Sequence, residues 1–238
     1  MSLIDLHCHI LPAIDDGALD LADTLGMARQ AERDGIALVC ATPHVRHDHD
    51  VRIGELPGRV AAVNEALEAA GLRVRVAPGA EVAETIVHEL TDAELRGCTL
   101  GGGGRWILLE PAPGPLSERT VATVRALARR GLGTVLAHPE RHPGPDVNAR
   151  LCELAAAGAL IQLTGAFVLD GSADWFVAER LVHVLGSDAH SSHGGRPVEL
   201  AAALRRLTAA PPLAAHASWI AATAPAAVVA GRQPAIPY

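Results

Sequence analysis

The chain has 238 residues, 49% of them hydrophobic but only 3% aromatic, and a formal charge of -7. This length suits one ordinary domain or one α/β barrel, with a core of Ala, Val, Leu and Ile instead of stacked rings. An acidic chain poor in aromatics argues against a nucleic-acid partner. All 20 basic residues are Arg, which rules out Lys Schiff-base chemistry and any phosphate loop that needs its own Lys.

In chain order the predicted strands are LIDLHCH (3–9), ALVCATPH (37–44), RVRVAPGAE (73–81), RWILLE (105–110), GTVLAHPE (133–140), ALIQLTG (159–165) and LVHVLGSDAH (181–190). They are apolar throughout, as parallel strands covered on both faces are. Amphipathic segments separate them and close on Gly35, Gly71, Gly131 and Gly158, the residues expected at helix C-termini. Serial β-α units predict an α/β fold over residues 1–238 as a single domain, a closed or nearly closed barrel, with an open doubly wound sheet as the alternative. The run Gly101–Gly104 precedes a strand and lacks a following Gly-Lys-Ser/Thr, so it reads as a flexible connector, not a phosphate loop. Residues 210–234 read as a final helical region without chemistry. MSLIDLHCH shows no leader pattern, Cys8, Cys40, Cys98 and Cys152 form no Cys-x-x-Cys pair, and no apolar run reaches the roughly 20 residues of a membrane span. A cytoplasmic chain without a membrane span is expected.

His7 and His9 end the first predicted strand, His44 the second, Glu81 the third, Glu110 the fourth, His138 the fifth, and Asp188 and His190 the seventh. Parallel barrel strands aim their C-terminal ends at one face, so these residues would converge there. In His7-Cys8-His9 and Asp188-Ala189-His190 the pleat sends residues i and i+2 to the same side. Imidazoles mixed with carboxylates suit divalent Mn, Fe or Zn, with Glu81 and Glu110 available as bridges. Asp15 and Asp16, in the turn before Gly17, are further candidates, with Asp16 favoured; Asp20 and Asp23 read as helix N-cap chemistry.

Arg141 and Arg196 follow His138 and His190 by three and six residues, and a guanidinium fork is a natural partner for phosphate. His47, His49, His88, His142, His183, His193 and His216 are read as structural by default; His47 and His49 border the predicted mouth, where a substrate role is the alternative. Cys40 and Arg46 match the Cys-x5-Arg spacing of cysteine-dependent phosphatases, but Cys40 falls inside an apolar strand and Pro43 removes an amide from any phosphate cradle, so the match is read as coincidence.

The stretches IDLHCHILPAIDDG, VCATPHV, PGAE, ILLEPAPG, LAHPERH and GSDAHSSHGGRP together resemble the PHP (polymerase and histidinol phosphatase) superfamily, and within it the manganese-dependent protein-tyrosine phosphatases of bacterial capsule and exopolysaccharide operons. The resemblance implies a distorted (β/α)7 barrel with three divalent ions, usually manganese. His7, His9, Glu81 and Asp188 would surround the first, Glu81, Glu110 and His138 the second, and Asp16, His44 and His190 the third. His44, Arg141, His190 and Arg196 are the expected catalytic residues. The implied partner is a phosphotyrosine-bearing protein, such as the tail of a polysaccharide-export kinase.

Histidinol-phosphate phosphatases of the superfamily commonly carry His where this chain has Asp16 and Glu110, which favours the capsule type. The His-rich HVRHDHD and the tetraglycine run are local departures. The expected mechanism is in-line attack by a metal-bound hydroxide without a covalent enzyme intermediate. The alternatives are a small-molecule phosphatase such as histidinol-phosphate phosphatase, a metal-binding regulatory domain without turnover, and a metal-dependent amidohydrolase. Oligomeric state is not legible.

Overall fold

The apolar runs become strands and the amphipathic segments become the helices that cover them, in a computed structural model that describes residues 2–237 except 210 and 212. Ala210 and Pro212 of the predicted tail, and Met1 and Tyr238 at the limits of the predicted domain, lie outside the described residues. β1 (Leu3–Cys8) leads through α1 (Leu21–Asp34) to β2 (Ile36–Ala41) and β3 (His44–Val45), then α2 (Leu56–Ala69) leads to β4 (Arg75–Ala77) and β5 (Glu81–Ala83). Next come α3 (Asp92–Gly97), β6 (Trp106–Glu110), α4 (Glu118–Arg129), β7 (Gly133–Leu136), α5 (Val147–Ala156) and β8 (Leu160–Thr164). Two short helices, α6 (Gly165–Asp170) and α7 (Asp174–Ala178), precede β9 (Val184–Gly186), and α8 (Ala201–Ala209) and α9 (Ala224–Val229) follow. Gly35, Gly71, Gly131 and Gly158 all take the left-handed conformation expected at helix ends.

Every strand pairing is parallel. The second and third predicted strands are each cut in two, at Thr42-Pro43 and at Pro78-Gly79-Ala80, where a proline withdraws a ladder donor. Their first halves, β2 and β4, pair in the order β1-β2-β4, and their second halves, β3 and β5, join β6 in the order β3-β5-β6-β7-β8-β9. The two sheets close on each other where Cys8 bridges Ala189 and the Asp188 N–H donates to His7 O at 2.8 Å. The result is a distorted (β/α)7 barrel whose staves correspond to the predicted strands. The last of these is regular only over Val184–Gly186, because Asp188 turns to φ 50°.

Alternation on β6 shows how the barrel is layered. Ile107 and Leu109 face outward into the helix-packed cluster, whereas Trp106 and Leu108 join Leu6, Cys40, Val135, Leu160 and Val184 in a second apolar cluster inside the lumen. Ala224 and Val228 of α9 close this cluster from below, and Trp106 Nε1 donates to Arg232 O at 2.9 Å. The tetraglycine run departs from the expected flexible connector. A Cβ on Gly101 would lie 2.7 Å from Val229 O, and one on Gly103 would lie 2.6 Å from Gly231 N. Glycine is needed there so that the backbone around α9 can seat directly on the run. No helix among the described residues is long and apolar enough to cross a membrane.

Candidate metal centre

A one-residue bulge in β1 sets the first pair of histidines. Asp5 pairs with Val39 and Cys8 with Ala41, so β1 carries one residue more than β2 over this interval, the signature of a β-bulge. Asp5 Oδ1 holds it by accepting the His7 N–H at 3.1 Å and the Ser187 N–H at 3.0 Å. Leu6 can therefore sit in the apolar layer while His7 and His9 face the lumen above it. Cys8 turns the other way, its Sγ directed at Ala189 O. On β6 the next inward position above Leu108 is Glu110. His138 at φ 30° and Asp188 at φ 50° are left-handed without being glycine, a strain that concentrates at functional sites.

All nine predicted ligands meet at this end of the barrel, around Glu81. Its Oε2 lies 3.2 Å from His7 Nε2, 3.3 Å from His9 Nε2 and 3.1 Å from His44 Nδ1, and its Oε1 lies 2.9 Å from His138 Nε2. Asp188 Oδ1 is 3.3 Å from His7 Nε2, and Glu110 Oε2 is 3.7 Å from His44 Nδ1. Asp16, on the exposed side, places Oδ1 3.4 Å from His44 Nε2 and 3.6 Å from His190 Nε2. Ligand atoms within 4.8 Å of one another form overlapping groups: His9, Asp16, His44 and His190; His7, His9 and Asp188; His7, Glu81 and His138; and His44, Glu81 and Glu110. Asp16, His44 and His190 fall in one group and His7, His9 and Asp188 in another, whereas Glu110 and His138 sit in different groups, each with Glu81, and His7, His9 and His44 are shared between groups.

Hydrogen bonds around the cluster fix the imidazoles. Asp15 accepts from His9 Nδ1 at 2.8 Å and from the His44 N–H at 3.0 Å, so of the two neighbouring acids Asp15 orients and Asp16 faces the cluster. Gln162 Oε1 accepts from His7 Nδ1 at 3.0 Å. With Nδ1 of both rings committed to these acceptors, the Nε2 atoms of His7 and His9 lie 3.2 Å apart and confront the oxygens of Glu81 and Asp188. Glu81 Oε2, His44 Nδ1 and His138 Nδ1 are buried without a hydrogen-bond partner. Imidazole nitrogens packed on carboxylates across a dry space call for positive charge between them, from protons or a metal ion, and the donor set of imidazole and carboxylate without thiolate fits a divalent first-row ion.

The titration behaviour reports the same negative potential. Burial would depress His7 and His9, but Glu81 with Asp188 pushes His7 up to about 8, and Asp15 with Glu81 pushes His9 up to about 10. Burial would raise Glu81, yet the surrounding imidazoles hold it well below the usual carboxylate range. Burial would also raise Asp15, but its bond to His9 holds it at about 2. His44 goes the other way: burial pushes it down to about 4. Glu110 is raised by burial and by the Glu81 charge.

Arg141 and Arg196 both reach Asp188 Oδ2, Arg196 at 3.0 Å. With Arg46 they line a cavity of about 380 Å³ that also exposes Asp16, His44, Glu110 and His190. Arg46, read from sequence only as half of a coincidental motif, donates to Glu110 Oε1 at 3.3 Å. Gln162 likewise lies outside the residues predicted for the site. Its signal was a polar residue in an apolar strand, placed by alternation on the same face as the lumen residue Leu160. Cys40 lies in the lumen below the cluster, where burial pushes its thiol up to about 12. His142 Nδ1 donates to Gly114 O at 2.8 Å, and His183 Nδ1 accepts the Ile161 N–H at 3.0 Å, so each of these rings is bonded to the surrounding backbone.

A parallel barrel that gathers imidazoles and carboxylates around shared oxygens, beneath a set of guanidinium groups, defines a metal-dependent hydrolase. The model of the family described as capsular polysaccharide synthesis, CpsB/CapC, matches residues 3–211, and the chain belongs to that family. YwqE of Bacillus subtilis (strain 168), a tyrosine-protein phosphatase, is 35% identical over 205 residues, covering 79% of this chain and 78% of its own. CpsB of Streptococcus pneumoniae, also a tyrosine-protein phosphatase, is 23% identical over 203 residues, covering 79% of this chain and 83% of its own. One of the crystal structures of YwqE from Bacillus subtilis and CpsB from Streptococcus pneumoniae, described as unique metal-dependent tyrosine phosphatases, matches with a TM-score of 0.79 at 25% identity, over 97% of this chain and 95% of that one.

Proposed function

We propose that this chain is a metal-dependent protein-tyrosine phosphatase whose whole length serves one catalytic domain. The observation that carries the reading is Glu81, a buried carboxylate with one oxygen within 3.3 Å of three imidazole nitrogens, beside a cavity lined by Arg46, Arg141 and Arg196. His7, His9, Glu81 and Asp188, then Glu81, Glu110 and His138, then Asp16, His44 and His190 are the sets that would hold three divalent ions, manganese foremost. Such ions, when bound, supply Lewis acidity: they lower the pKa of water and neutralise charge on phosphoryl oxygens.

The protein's own groups do the rest. Arg141 and Arg196, braced on Asp188, present guanidinium N–H groups to phosphate oxygens in a cavity. His44, pushed down to about 4 by burial, stays neutral at working pH and offers one ring-nitrogen lone pair to an ion. His190 is also lowered by burial, and its Nε2 faces Asp16. Asp15 and Gln162 keep the His9 and His7 rings in one tautomer. Cys40 is unsuited as a nucleophile, because its thiol is buried and pushed up to about 12.

The reading extends to a cytoplasmic phosphotyrosine protein as substrate, such as the tail of a polysaccharide-export kinase. The test is phosphate release from a phosphotyrosine peptide by chelator-stripped protein, with and without manganese, alongside histidinol phosphate. Manganese-dependent release favouring the peptide is expected. Preference for histidinol phosphate would replace this reading with a small-molecule phosphatase, and release indifferent to metal would overturn both.

A further inference from the structure

Next to the metal cavity lies a larger opening of about 600 Å³, between the loop that follows β3 and the turns leading into α3. Val45, Val51, Ile53, Ile86 and Leu90 give it an aliphatic lining. Val45 and Ile86 are buried, but Val51, Ile53 and Leu90 are only half-buried, so the fold leaves part of this apolar surface in water. Its lining carries both signs of charge, with Arg46 and Arg52 against Glu89 and Glu94. Electrostatics therefore favours neither an anion nor a cation, and the floor selects for apolar groups.

The two openings share a wall. Arg46 lines both. It reaches Glu110 Oε1 at 3.3 Å on the metal side, and its Nη2 lies 3.3 Å from His49 Nε2 on the groove side. The His49 ring stacks on that of His44 at 5.4 Å and 13°. Arg46 and His49 are thus the sill between the cavity and the groove. The HVRHDHD loop is tied down around it, with Arg46 Nε 2.7 Å from Asp48 Oδ1 and His47 Nε2 3.3 Å from Glu89 Oε1.

The metal cavity is walled almost entirely by charged and imidazole groups, which suit a phosphate ester but offer nothing to apolar neighbours. A polypeptide that delivers a phosphotyrosine there must lay its adjoining residues across the sill. At roughly 3.3–3.6 Å per extended residue, the next few side chains come within reach of the groove. We infer that this groove seats the polypeptide flanking the phosphotyrosine and receives one apolar side chain from about three residues or fewer away. The inference rests on the phosphatase reading above and gives it a sequence preference. A free monoester would use the cavity without touching the groove.

The experiment uses manganese-supplemented full-length protein and phosphotyrosine peptides with Gly and Ser flanks, in which a single Leu is walked through the three positions on either side. At one position Leu raises kcat/KM by about tenfold through KM, the gain typical of one well-seated apolar group. In Leu90→Asp that gain disappears, while turnover of p-nitrophenyl phosphate stays within about twofold. Ile53→Asp is the second variant should Leu90→Asp lose p-nitrophenyl phosphate turnover through misfolding. Equal kcat/KM for every Leu position in the wild type, or a gain that survives in a folded groove variant, overturns the inference. Release from small monoesters but from no phosphotyrosine peptide would instead overturn the phosphatase reading on which it rests.

Discussion

In the lower part of the lumen the staves present Leu6, Cys40, Trp106, Leu108, Val135, Leu160 and Val184; above it they present His7, Glu81, Glu110, His138 and Gln162. The lower layer is an apolar cluster closed by α9, stabilised by removing aliphatic and indole surface from water. The upper layer is equally dry at its heart, with His7, His9, Glu81 and Asp188 almost wholly buried, yet it leaves polar atoms without partners. Burial stabilises the first layer unaided. In the second it accumulates negative potential that a cation relieves. The contrast teaches that the barrel's own stability and its chemistry are separable, one rung apart on the same strands.

Substitutions in each layer should therefore fail in different ways. Glu81→Ala should cut phosphatase activity on the order of 10³-fold, the scale of losing a centrally placed electrostatic group. Manganese should raise the melting temperature of the wild type, as a ligand bound only to the native state does, but not that of this variant. An active Glu81→Ala, or one that gains the same stability from manganese, would erase the distinction. Trp106→Ala should do the reverse, costing about 3–5 kcal/mol of unfolding free energy in a denaturant titration while kcat per folded molecule is kept.

The lower end also tests burial without a cation. His183, just before β9, is pushed down to about 4 by burial, below its unfolded value near 6.5. The folded state therefore resists protonation. Its stability is complete above about pH 6.5 and falls as pH drops towards 4, by on the order of 2–3 kcal/mol. His183→Asn should flatten that part of the stability profile measured against the wild type; an unchanged slope would assign it to other groups.

Gln162→Leu sharpens the comparison because it makes one upper position resemble the layer below. It removes the acceptor for His7 Nδ1 and should lower metal affinity or activity about 10–100-fold, with the fold intact by circular dichroism. Equal manganese affinity in titration calorimetry would leave Gln162 as mere packing. Cys40→Ser is the mildest change: about 1–3 kcal/mol of stability for a hydroxyl placed in the apolar layer, with most activity retained. Loss of activity in a folded Cys40→Ser would revive the cysteine nucleophile.

Much of this was legible in the residues alone. Apolar runs, helix-ending glycines and the placement of His7, His9, His44, Glu81, Glu110, His138, Asp188 and His190 after strand-like segments determine a parallel α/β barrel with one polar end, because periodicity, capping and strand direction are local consequences of sequence. Asp15 and Asp16 stand in the same turn, and only the folded geometry sets Asp15 against His9 and Asp16 beside His44 and His190. What only the tertiary structure decided depends on chain segments far apart. The β1 bulge is held by the Ser187 N–H donating to Asp5, Gln162 matters because His7 is across the lumen, and the tetraglycine run is compact because Val229 and Gly231 lie on it. Arg46 became part of the site by meeting Glu110, and its groove exists only where the loop after β3 faces Leu90. Such contacts follow from barrel closure, which no short window of sequence contains.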